Sequence, residues 1–155
     1  MAFEWEKYFK RYVADEAKTP YAVPVDRLTR TQASYEVFLY ALLLGVLFVV
    51  VGIGSLLSTK LPHGSALGVP LFAFSIAWAA IVFGFSKHAY AAAYCATAPV
   101  AALLYILLYG FHPNLGTLDK VLILAFILVW LRYNWRVLMI AKAFPDMTDP
   151  PVSND

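Results

Sequence analysis

From Val37 to Thr59 the chain runs without a single charged side chain, between Glu36 and Lys60. Two more such runs follow, Leu61 to Ser86 and, with histidine counted as neutral, His88 to Leu118. A hydrocarbon core about 30 Å thick takes about 20 helical residues at about 1.5 Å each. Each run is therefore long enough for one crossing and too short for two. Helices are expected near 34–58, 67–85 and 89–110.

The stretch from Val121 to Leu131 is too short by itself, closed by Lys120 and Arg132. Extending it from Leu118 to Trp135 gives about 27 Å of helix and takes in three charges. Asp119 and Lys120 fit the headgroup layer, and Arg132 can snorkel. A fourth span is expected, since this apolar stretch otherwise has no home. The expected fold is an all-α integral membrane protein, a four-helix transmembrane bundle over 34–144 with an N-terminal amphipathic surface helix. Of the whole chain 61% is hydrophobic and 14% charged, against about 45–50% and about 25% in soluble domains. With a single cysteine, that balance excludes a soluble enzyme, a nucleic-acid module and a disulfide scaffold. The net charge of +2 is too small to argue for a polyanionic partner.

Local signals mark the helix ends. Thr29 and Gln32 have capping-box spacing ahead of the first span. Pro62 and Gly64 break the chain after it, and Gly84 to His88 forms a tight hairpin. Pro113 and Gly116 precede the fourth helix, with Thr117 as N-cap and Asp119 and Lys142 favouring its dipole. Pro145 ends that helix. At 117–144 it is about 42 Å long and projects beyond the bilayer. The chain after Pro145 reads as a disordered tail.

The segment ahead of Ser34 carries no signal-peptide core. Trp5, Tyr8, Phe9, Tyr12 and Val13 recur at helical spacing among lysines and arginine, which suits a helix on the membrane surface or one docked on a protein partner. Tyr21 to Val25, between Pro20 and Pro24, reads as an extended linker. Four spans put both termini on one side, with ten lysines and arginines; Lys60 and Lys120 fall on the other. The positive-inside rule then places both termini in the cytoplasm, and the bacterial inner membrane is the expected location.

An ionisable residue inside a membrane is the first pointer to function, and the centres of the first three spans hold none. Glu36, Arg132 and Arg136 approach the membrane from the cytoplasmic edge, the two arginines sharing a helix face. Three readings stand: snorkelling arginines with a solvated Glu36, an ion pair of Glu36 with Arg132 or Arg136, or a site for a ligand carboxylate or phosphate. His63 and His112 fall in the outer loops without metal-ligand spacing, so neither metal nor cofactor is expected. Trp78 and Tyr94 lie deeper than the aromatic belts and read as packing residues, or as the lining of a quinone or lipid pocket.

Ala91, Cys95, Ala98 and Ala102 form a small-residue face on the third span, to which Gly45 and Gly52 of the first are expected partners. Pro99 should kink that span by freeing the carbonyl of Cys95. Packing faces, interfacial aromatics and a long cytoplasmic arm favour a non-catalytic accessory or assembly subunit of a larger membrane complex. The rival is a small homo-oligomeric transporter or channel, and the third is a quinone- or lipid-binding membrane enzyme. The expected partners are the lipid bilayer and another membrane protein or a second copy, with no nucleic acid.

Overall fold

The computed structural model describes residues 23–57 and 67–149. Among them four helical stretches are long and apolar enough to cross a membrane, and no strand occurs. The chain is an all-α, multi-pass membrane protein. The first span is α1, Arg30–Leu57, and the second is α2, Gly68–Ser86. The third is divided into α3, Ala89–Cys95, and α4, Thr97–Tyr109; the fourth is α5, Thr117–Ala143.

Helix α1 begins at Arg30, ahead of the expected start at Ser34, because its capping box is complete. The Gln32 amide donates to Thr29 Oγ1 at 3.2 Å, and Gln32 Oε1 accepts from the Thr29 amide at 3.1 Å. Two of the amides that a helix start leaves without partners are thereby satisfied. At the start of α5 the N-cap is Gly116 rather than Thr117. Asp119 is the residue that closes this end, its Oδ2 accepting from the Gly116 amide at 2.9 Å.

The turn from α2 into α3 passes through Lys87 in the left-handed region, at φ 54°. A residue with a Cβ is strained there by about 1–2 kcal/mol. Its amide returns to the Phe83 carbonyl at 2.9 Å and its ammonium to that of Gly84, which satisfies the end of α2.

Helices α1 and α2 pack along their whole length. A Cβ added at Gly45 would lie 3.8 Å from the Ala80 Cβ, one at Gly84 3.1 Å from that of Ala41, and one at Gly52 2.9 Å from the Phe74 ring. Gly45 and Gly52 thus receive the second span, not the third, which corrects the pairing expected from the sequence. The chain sets α2 beside α1 before α3 is reached, and in lipid close backbone approach is what such glycines permit. The same antiparallel register sets Glu36 level with the turn at Lys87 to Ala89. Glu36 therefore lies at the boundary of the apolar layer, and Leu57 stands opposite Gly68 at the far boundary. From Glu36 to Leu57 the helix rises about 32 Å, enough to cross the core.

The third span breaks at Ala96, just before Pro99. Pro99 is buried, and Thr97 Oγ1 donates to the Tyr94 carbonyl at 2.7 Å across the break. The expected kink is present and lies within packed structure. Beyond it the packing thins. In α4 only Ala98 and Pro99 are buried, and in α5 burial falls on Ile127, Asn134, Val137, Ile140 and Ala141. The third and fourth spans therefore join the rest mainly at the end that carries Arg30, Lys87 and Lys142, called the basal end below.

That end is closed by chain on both flanks. Val25–Arg27 is a turn of 3-10 helix, not part of an extended linker, and Leu28 after it is buried. Past α5, Phe144–Asp146 forms another such turn, and Met147 is only 9% exposed. The Thr31 amide donates to Asp149 Oδ1 at 2.8 Å, and the Arg30 guanidinium lies over the Phe144 ring at 5.2 Å. Residues 144–149 are thus a strap across the start of α1, where the sequence suggests only a polar tail. A carboxylate at a helix N-terminus meets unpaired amides and the positive end of the dipole, which favours Asp149 at this position. The stripe of Trp5, Tyr8, Phe9 and Tyr12 lies outside the described residues, as does His63.

Candidate functional site

Glu36 and Asn134 are the buried polar residues among those described, at 0% and 4% exposure. They come from α1 and α5, and each is held by a neighbour on the other helix. Arg136 Nε donates to Glu36 Oε1 at 2.7 Å and Arg136 Nη2 to Oε2 at 3.0 Å. The Tyr133 hydroxyl donates to Oε1 at 3.2 Å. One step deeper, the Tyr40 hydroxyl donates to Asn134 Oδ1, and the Asn134 amide nitrogen has no partner among the described residues.

The geometry follows from helical spacing. Glu36 and Tyr40 are four apart on α1, and Tyr133, Arg136 and Val137 share a face of α5. Val137 and Ile140 are buried beside the polar groups and set the rotation of α5. A planar guanidinium meets the carboxylate through two parallel bonds, the strongest ion-pair arrangement. Three of the roughly four acceptor sites on the carboxylate are filled. As built, Glu36 is a clamp between the first and last spans.

Of the two candidate arginines, Arg136 is the partner, while Arg132 is exposed and, among the described residues, meets no carboxylate. It lies about 6 Å closer to the membrane centre than Arg136. An arginine side chain at that depth is long enough to reach the headgroups by snorkelling.

The small-residue face of the third span is split. Cys95 and Ala98 are buried in the bundle, with Ala92 beside them, while Ala91 and Ala102 are half-buried. Neither Trp78 nor Tyr94 lines either of the two apolar grooves described below: Trp78 is 68% exposed, and Tyr94 is 43% exposed, its hydroxyl 2.8 Å from Ser75 Oγ. His112 Nδ1 accepts from the Asn114 amide at 3.3 Å, and His88 Nδ1 from that of Tyr90 at 3.5 Å. Both rings serve their own turns. Among the described residues no group of three His, Cys, Asp or Glu is placed to hold a metal ion.

Sequence alone does not single out Tyr40, Tyr133 and Asn134 as part of a site. The two tyrosines fall where aromatic belts are expected, which masks them. The signal available is an amide close to an arginine on a membrane helix, at the same depth as the one acid of the first span.

Two apolar grooves lie on the surface of the described residues. One, of about 430 Å³, runs along α1 and α2 over Ala41, Gly45 and Ala80. The other, of about 480 Å³, lies between α1 and α5 and is lined in part by Tyr40, Trp130 and Tyr133. The chain matches no known protein family, no curated protein and no solved structure.

Proposed function

We propose that this protein is a non-catalytic accessory or assembly subunit that packs against a larger membrane protein. The observation that carries the reading is the uneven closure of the bundle. Helices α1 and α2 pack closely on each other, whereas α4 buries only Ala98 and Pro99 and the first half of α5 only Ile127. Large apolar residues face outward on all four spans, and on this less packed pair they include Leu104, Leu107, Leu108, Leu118, Val121 and Leu122. Ala101 and Ala102 are half-buried in that region, and small residues beside large ones suit a helix–helix contact. The buried charges, by contrast, are engaged with one another at the basal end. The charge distribution supports a basal end in the cytoplasm, hence both termini there, and a bacterial inner membrane as the site.

The test is extraction in a mild detergent at native abundance. The subunit should co-migrate with a larger membrane protein, and Ala102→Leu should weaken that association. Ala98→Leu should instead damage the bundle itself, since Ala98 is 1% exposed. Solute flux from the isolated protein in liposomes, with no co-migrating partner, would support the transporter or channel and overturn the accessory subunit.

A further inference from the structure

We infer that the Asn134 side chain, with the Tyr40 hydroxyl, is a binding site for one enclosed water molecule between α1 and α5. Asn134 is 4% exposed, and its Nδ2 has no hydrogen-bond partner among the described residues, although its Oδ1 accepts from the Tyr40 hydroxyl. That nitrogen carries two donors. An unmet donor is most costly where the dielectric is low, and within a membrane no bulk water is at hand to meet it. Turning the amide over exchanges the roles of its two ends and still leaves one of them unmet. The shortfall therefore belongs to the position and not to one orientation of the side chain.

The surroundings define what can answer it. Asn134 lines neither apolar groove, and its amide nitrogen is closed to the outside, so the ligand is enclosed and small. It must accept from N–H, which excludes a cation. A buried anion would need a positive charge to compensate it, and the Arg136 guanidinium is already joined to Glu36. A neutral acceptor of one heavy atom remains, and water is that species. Buried waters are held by about 2–4 polar partners. Here Nδ2 donates to the water, and one water proton returns to the Tyr40 oxygen, whose own proton is directed to Oδ1. Amide, water and hydroxyl then close a ring in which each member both donates and accepts.

A full-length chain with Asn114→Ser and Asn154→Ser keeps Asn134 as its single asparagine. With asparagine labelled by nitrogen-15 in a deuterated detergent, its side-chain amide protons should show a dipolar contact with water. The sign of that contact should be the one given by a molecule that tumbles with the protein. Tyr40→Phe should keep the contact, because Oδ1 then lacks a partner as well. A contact relayed through exchange of the tyrosine hydroxyl would instead vanish. Replacing chloride by gluconate should change nothing. A high-resolution structure of the unsubstituted chain should place one water about 2.7–3.2 Å from Nδ2. Failure to find the water contact, its loss in Tyr40→Phe, its dependence on chloride, or a protein acceptor on Nδ2 overturns the site.

Discussion

Replacing Glu36 by glutamine leaves the Arg136 guanidinium, whose side chain is only 20% exposed, facing a neutral amide. Breaking a buried pair on one side costs about 3–5 kcal/mol, and the residual exposure of Arg136 puts the expectation near the lower figure. Arg136→Gln should be similarly damaging. The double variant should lose less than the two single losses together, because residues in contact are coupled by about 0.5–3 kcal/mol. Arg132→Gln should stay within about 0.5 kcal/mol of the parent chain, as an exposed substitution does. Unfolding in mild detergent checks all four. A loss at Arg132 equal to that at Arg136 would contradict the clamp. The sequence leaves Glu36 solvated, paired with one of two arginines or part of a ligand site, and goes no further. Being four apart, they share one face of the helix. Choosing between them requires the rotation of α5, which Val137, Ile140 and the Tyr40–Asn134 bond determine from elsewhere in the chain.

Between helices, the glycines offer a graded test. Gly45→Ala adds a Cβ at an ordinary contact distance of 3.8 Å from Ala80, so it should be neutral or stabilising by up to about 1 kcal/mol through helix propensity. Gly84→Leu forces a long side chain toward Ala41, whose Cβ would already lie 3.1 Å from the first added carbon. Overpacking of this kind costs about 1–3 kcal/mol. Thermal unfolding of the two variants in the same detergent should therefore move in opposite directions or differ clearly in size. Helix existence is readable in the sequence, since charge-free runs and the Thr29–Gln32 box are local features. Helix partnership is not. The small faces of Gly45 with Gly52 and of Cys95 with Ala98 both consist of small residues, and only the fold reveals that the first pair meets α2 while the second is buried within the bundle.

Across the whole molecule, the described lysines and arginines other than Lys120 gather at the basal end. If that end is cytoplasmic, a cysteine placed at Asn114 should react with an impermeant thiol reagent in intact cells, and one at Ser86 should not. Both positions are exposed, and the native Cys95 is buried and stays silent. The reverse pattern would invert the orientation. The strap adds a consequence in time. Its bond from Thr31 to Asp149 joins residues 118 apart. At about 5–20 residues per second of synthesis, Asp149 is made roughly 6–24 s after Thr31. Until the strap arrives, the capping bonds at the start of α1 are those between Thr29 and Gln32. A nascent chain arrested before Asp149 would expose the Thr31 amide to faster hydrogen exchange than the finished chain, so the order of synthesis leaves the first helix to be secured last.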